Sequence, residues 1–337
     1  MNFFKLRKTK MLDDAVLNHK PQSILTVFLI FYLVFFIGEI ISKVIVLIPT
    51  TIWMFTYDGF MGALKEYTEA VMAGNNDDTK FVAFINEMAV NIPSWLTIVS
   101  LISFAGLVGA SIFYCIKFEK RPIRSMGIRK KDAIKESLLG LLIGGALIGL
   151  TVLIASLTGS VSIKAGNGFD FMVIIFFVAF LIHAFSEVVF FFGYFTTSIA
   201  RDYKLSFAIT VGSVMFSLIH GLGEEVNLIL LLNTALFGAI LGIYVFKRGD
   251  IWGAFGIFAM WNFGSGCIFG APMVGFDKLP TVFTLEIDTG KSLANGAEAG
   301  LEGGFCTSVV LLIAFALLFL LKTKIGEESL SDEAELE

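Results

Sequence analysis

Charge is what this chain has least of. Only 16% of its residues are Asp, Glu, Lys or Arg, while 56% are hydrophobic and 36 are Phe. A water-soluble protein of this length needs far more charge, so the solvent of most of this chain is expected to be lipid. Cysteine is scarce as well: Cys115, Cys267 and Cys306 are the full set, and no CxxC or comparable spacing offers a thiolate metal site. Cys267 and Cys306 bracket one long loop, which leaves a disulfide open beside the reading of buried thiols. The basic residues form no continuous stripe and the net charge is −4, which excludes a nucleic-acid partner. The first apolar run lacks a small-residue cleavage site and exceeds signal-peptide length, so it reads as a retained membrane span. No internal repeat is present, and with it goes the paired-half symmetry that would point to a transporter.

The apolar runs themselves are long. A helix needs about 20 residues to cross the hydrocarbon, and eight segments qualify: Ile24 to Ile48, Trp95 to Ile116, Ser137 to Leu157, Phe169 to Ile199, Leu205 to His220, Leu228 to Phe246, Trp252 to Phe269 and Phe305 to Leu321. Backbone groups in lipid must be satisfied within the segment, which excludes an open sheet among the spans. The expected fold class is therefore all-α: a polytopic transmembrane helical bundle of about eight spans. Lys5, Arg7, Lys8, Lys10 and Lys20, then the basic residues from Lys117 to Lys135, then Arg201, Lys204, Lys247, Arg248, Lys322 and Lys324 all fall on one side. The other side holds only Lys65, Lys80, Lys164, Lys278 and Lys291. The positive-inside rule then places both termini in the cytoplasm.

The loops carry further expectations. Asp58 to Pro93 reads as two helical stretches broken at Gly74-Asn75-Asn76-Asp77-Asp78, forming an outer cap. Arg121 to Asp132 reads as a basic amphipathic segment lying on anionic lipid. Gly270 to Gly304 contains a strand-like alternation, Val282 to Ile287, and a glycine-rich return, Asn295 to Gly304. The acidic tail, Gly326 to Glu337, reads as disordered.

Against this apolar background a few polar residues stand out. Glu187, His220 and Asn262 sit in three different spans, at depths of about 20, 22 and 18 Å from the basic side at 1.5 Å per residue. Convergent polar groups at one depth are what a membrane-buried site requires. His183 lies one turn from Glu187 on the same helical face. It has three readings: a hydrogen bond to the carboxylate, a shared cation, or a bond to a backbone carbonyl. Glu224 and Glu225, at the outer end of the His220 helix, read as solvated caps or as guards of a cavity mouth.

Glu187-Val188-Val189-Phe190-Phe191-Phe192-Gly193, Phe216-Ser217-Leu218-Ile219-His220 and Phe258-Ala259-Met260-Trp261-Asn262 occur in that order. In order and spacing they resemble the three motifs EExxFRG, FxxxH and HxxxN of the CAAX-protease and bacteriocin-processing family of intramembrane proteases, the CPBP or Abi proteins. The basic segment ending in Ser125-Met126-Gly127-Ile128-Arg129 is similar to the family's loop before its core helices. Glu298 to Gly304 is similar to the return after the third motif in some bacterial members. The resemblance divides the chain into N-terminal spans with a long outer loop (1–119), a protease-like core (120–305), and a last span with an acidic tail (306–337).

The resemblance implies hydrolysis of a peptide bond in a membrane-associated peptide or protein. Glu187 would activate the water, His220 would be its partner and Asn262 would hold the oxyanion. Family members are often called metalloproteases, and the intramembrane donors for a zinc ion would be His183, Glu187 and His220. Three positions depart from the pattern. Val188 and Phe192 replace the second Glu and the Arg together, a paired loss that leaves neither charge stranded. Phe258 replaces the third-motif His beside Asn262. That last change points to the alternative of a pseudoenzyme that keeps the cavity to bind or scaffold a membrane or envelope protein. The implied location is a bacterial cytoplasmic membrane, with the lipid bilayer as the surrounding partner.

Overall fold

The computed structural model describes residues 9–17, 19–74, 77–221, 226–273 and 279–320. Glu224, Glu225 and the acidic tail lie outside them, so those two expectations meet no structure. A short helix α1 (Lys10–Val16) precedes α2 (Ile24–Thr56), whose first turn is capped by Ser23, its Oγ accepting the Thr26 N–H at 3.2 Å. The cap expected from Asp58 to Pro93 is helical on both sides of its breaker, as α3 (Phe60–Met72) and α4 (Thr79–Val90), with Tyr67 stacked on Phe81 at 4.7 Å.

Helices α5 (Ser94–Ser103) and α6 (Ala105–Lys117) form one run with a break at Phe104, and α7 (Ala133–Leu157) follows. The central rod is α8 (Phe171–Val188), a π-helical stretch (Val189–Thr196) and α9 (Thr197–Ala200). Then come α10 (Leu205–His220), α11 (Leu228–Arg248) and α12 (Trp252–Phe263), the last extended by π-helical Gly264–Ile268. A short α13 (Ser292–Asn295) and α14 (Phe305–Leu318) complete the described chain.

Five of these runs are long and apolar enough to cross a membrane: Ile24–Thr56, Ser94–Lys117, Ala133–Leu157, Phe171–Ala200 and Leu228–Arg248. Helices α10 and α14 are apolar but shorter. Their outward faces are greasy: Leu25, Leu29, Leu47 and Ile52 along α2 are each 60% exposed or more. A soluble monomer leaves no such band in water. The chain is a multi-pass membrane protein.

Without a hydrophobic drive between helices in lipid, close backbone approach decides which rods pair. The pair α7 and α12 shows this. A Cβ on Gly140 would lie 2.1 Å from the Gly253 carbonyl oxygen, one on Gly144 2.3 Å from that of Ile257, and one on Gly256 2.3 Å from that of Ser137. Only hydrogen fits at this crossing.

Two loop clusters close the ends of the bundle. At one end, the segment Arg121 to Asp132 buries part of itself in the bundle, while Ile123, Arg124, Lys130 and Lys131 stay exposed. Arg121, Ser125 and Met126 are buried, and a 3₁₀ turn (Ile123–Met126) tucks beneath the π-helical stretch. Arg121 is held by Glu119 (2.8 Å), Cys115 Sγ (3.0 Å) and Ser198 Oγ (3.4 Å), while Arg201 pairs with the same Glu119. A buried arginine needs such partners. At the other end the strand expected at Val282 to Ile287 is present as β2 (Phe283–Ile287). It pairs antiparallel with β1 (Val161–Ala165), Ile163 opposite Leu285. This ribbon, outside the spans, was not expected, since β1 is only five residues between two helices. Cys115, Cys267 and Cys306 are free and buried, so no disulfide closes the loop.

Candidate active site

The rod α8 places two ionisable groups on one face. His183 and Glu187 are four residues apart, and the imidazole Nε2 lies 3.5 Å from Glu187 Oε1. Both side chains are buried, beneath Phe104 from the α5–α6 break, whose ring centre is 4.4 Å from that of His183. Immediately after Glu187 the helix widens. Thr196 and Thr197 donate their hydroxyls to carbonyls five residues back, Phe191 at 2.8 Å and Phe192 at 2.9 Å, the spacing of a π-turn. Such widened turns are frequent at functional positions. Gly193 belongs to this stretch because a Cβ there would meet the Met126 carbonyl at 2.6 Å.

The second histidine arrives on α10. Its Nδ1 meets the Phe216 carbonyl oxygen at 2.7 Å, and its Nε2 lies 3.1 Å from Glu187 Oε2. A carbonyl only accepts, so Nδ1 carries a hydrogen, and Nε2 and the carboxylate share a single proton between them. The third element, α12, brings Asn262, buried and lining the same cavity. Its amide makes no hydrogen bond among the described residues. The cavity measures about 390 Å³ and is lined by His183, Glu187, Phe216, His220, Phe258, Asn262 and Glu302, among others. The three residues chosen from sequence therefore do converge on one space.

Phe258, in the place of the third-motif His, is part of its wall. Its ring centre lies 6.2 Å from both His183 and His220, 5.5 Å from Phe216 and 6.0 Å from Phe237. It buttresses the imidazoles and leaves the cavity open.

The zinc expectation fares differently. His183 meets Oε1 of Glu187 and His220 meets Oε2, so the two imidazoles address different oxygens. Among the described residues no group of three or more His, Cys, Asp or Glu is placed to hold a metal ion. His183, Glu187 and His220 form a close polar cluster, and zinc on these residues finds no support in this donor geometry. His183 lies beside the carboxylate, 3.5 Å from Oε1.

Two contributions escaped sequence reasoning. Asn233 on α11 donates to the carbonyls of Glu302 (2.7 Å) and Gly304 (3.0 Å), pinning the glycine-rich return over the cavity. Trp261, next to Asn262, donates its indole N–H to the Glu302 carboxyl. Burial pushes the Glu302 carboxyl above the ordinary carboxylate range, against a smaller downward pull from the Trp261 hydrogen bond and the His220 charge. The signal in the sequence was the return itself, a carboxylate among glycines.

Residues 169–264 match the family described as Rce1-like, type II CAAX prenyl endopeptidase Rce1-like. The match covers that segment alone. It runs from the start of α8 to the first residue of the π-turn after α12, and so contains His183, Glu187, His220, Phe258 and Asn262. No curated protein and no solved structure matches the chain. Glu302 and Asn233's anchoring of it join the Rce1-like segment to the return that follows it in the chain.

Proposed function

We propose that the protein is an intramembrane endopeptidase that hydrolyses a peptide bond in a membrane-associated peptide or protein. The observation that carries this is the 3.1 Å approach of His220 Nε2 to Glu187 Oε2 inside a cavity of about 390 Å³, within a segment that matches an Rce1-like family. In the proposed reaction a water enters beside Glu187, which accepts its proton as the oxygen attacks the scissile carbonyl. His220, oriented by Phe216, receives or returns that proton through the carboxylate it touches. Asn262 donates its amide to the developing oxyanion. A preorganised donor in a dry cavity contributes about 3 kcal/mol to the transition state. No step is routed through a metal.

The basic loops gathered with Arg121 and Arg201 face the cytoplasm in this reading, in a bacterial cytoplasmic membrane, and the two-stranded ribbon lies on the opposite side. A second reading, a pseudoprotease that binds or scaffolds a membrane or envelope protein in the same cavity, is favoured by one observation, the Phe258 ring in place of a third-motif imidazole. Purified protein with a library of membrane-anchored reporter peptides separates the two. Cleavage that disappears in both Glu187→Ala and His220→Ala supports the protease. Stoichiometric capture of one protein partner with no cleavage supports the scaffold.

A further inference from the structure

The trio Glu187, His220 and Asn262 accounts for attack on a carbonyl but leaves a second requirement open. A peptide nitrogen is a poor leaving group until it receives a proton, and the residue type expected to help, the third-motif His, is Phe258 here. His220 is engaged on both sides, by the Phe216 carbonyl and by Glu187. The same cavity contains another carboxyl. Glu302 lines it from the return before α14.

Its backbone is held unusually firmly for a loop. The carbonyls of four successive residues accept side-chain hydrogen bonds: Leu301 from Thr307 (2.5 Å), Glu302 from Asn233 (2.7 Å), Gly303 from Asn227 (3.2 Å) and Gly304 from Asn233 (3.0 Å). The turn into it needs glycine: Gly300 has φ 71°, and a Cβ there would lie 2.2 Å from the Pro272 carbonyl oxygen. The side chain is aimed by Trp261, whose indole N–H donates to Oε1. Trp261 is the neighbour of Asn262 on α12, and Trp261, Asn262 and Glu302 all line the cavity. The charged groups acting on it are His220 and Glu187, and no Lys or Arg is among them. A carboxyl that only tied down a loop would be expected to meet a cation or several N–H donors. Burial instead holds this one above the ordinary carboxylate range.

We propose that Glu302 is the proton donor to the leaving nitrogen, the acid opposite the base Glu187. This rests on the protease reading above. As water adds to the carbonyl carbon, one of its protons passes to Glu187. As the carbon–nitrogen bond breaks, the electron pair stays on nitrogen and the Glu302 proton completes the amine. The acyl carbon keeps the water oxygen as a carboxylic acid. The cycle closes when the proton on Glu187 leaves to solvent and Glu302 takes one back.

The test compares two substrates with the same acyl part, a peptide amide and an activated aryl ester whose leaving group needs no proton. Glu302→Gln keeps an acceptor for the Trp261 N–H, so intrinsic Trp fluorescence and melting temperature check that the fold persists. The expected result for Glu302→Gln is a fall of about 10²- to 10⁴-fold in amide kcat with ester hydrolysis within a few-fold of wild type. Glu187→Ala loses both. Equal loss on amide and ester, or no loss on either, overturns the assignment while leaving the protease reading intact. Wild type inert toward both substrates overturns that reading and Glu302 with it.

Discussion

His220 gives its Nδ1–H to the Phe216 carbonyl at 2.7 Å, and this one bond sets the ring so that Nε2 alone faces Glu187. The FxxxH spacing is thereby explained as geometry: the aromatic residue four positions earlier lies one turn back, where its backbone oxygen fixes the tautomer and its ring, 4.2 Å away, fixes the tilt. A proton shared with a carboxylate in this setting is a structural bond as well as a chemical tool.

Breaking that bond from one side is expected to destabilise the fold more than removing it whole. His220→Leu leaves the Glu187 carboxylate with less compensation and is expected to lower stability by about 3–5 kcal/mol. Glu187→Leu combined with His220→Leu removes both polar groups and is expected to recover most of that loss. Thermal unfolding in detergent of the two single variants and the double variant checks the sign of the coupling.

Restoring the third-motif residue is expected to raise activity. Phe258→His places an imidazole beside Asn262 in a wall already flanked by two histidines, with a ring of smaller volume in a cavity that accommodates it. The expected outcome is a rise in peptide kcat of about 10-fold or more, the lower part of what a positioned acid or base supplies. Steady-state kinetics on the reporter peptide measures it.

The α7 and α12 crossing predicts a sharp difference among glycines. Gly140→Ala puts a methyl group 2.1 Å from a backbone oxygen and is expected to cost about 1–3 kcal/mol or more, since backbone cannot step aside as a side chain does. Gly149→Ala, with nothing within 4 Å, is expected to leave the melting temperature within a degree or so of wild type or raise it. Parallel melts of the two variants decide the matter.

The raised Glu302 carboxyl gives a signed dependence on pH. Its folded-state value lies above the ordinary one, so its contribution to stability is present below the ordinary carboxylate range and is lost as pH rises through the raised value. Wild type is expected to lose melting temperature on that rise relative to Glu302→Gln, in which no charge forms. The difference between the two melting curves from pH 4 upward, with salt held constant, does not change with pH if Glu302 does not titrate there.

How much of this was legible beforehand follows from which forces leave a trace in local sequence. Hydropathy marked the spans, and Leu205–His220 and the start of α11 at Leu228 fall where the apolar runs begin. Glu187, His220 and Asn262 were conspicuous because lipid makes any polar residue conspicuous. Arg121 was misjudged for the same reason in reverse: in a loop its charge looked like a lipid contact, whereas it folds back on Glu119 and Cys115 just before it and reaches Ser198, 77 residues on. The ribbon of β1 and β2 depends on pairing across more than a hundred residues, which no window of sequence contains. Glu302 needed Trp261 and Asn233 to acquire a direction, and neither announces itself as its holder.

The wide turns between Val189 and Thr196 have a consequence for length variation. An α-helix rotates by about 100° with each residue, so losing or gaining one elsewhere along this rod would swing Glu187 away from His220. A π-turn already stores a surplus residue. Deleting one position there would tighten the coil toward ordinary α-helix while both flanks kept their bearings. A one-residue deletion within these eight residues is therefore expected to leave the acid aimed at His220, where the same deletion elsewhere along the rod turns it away.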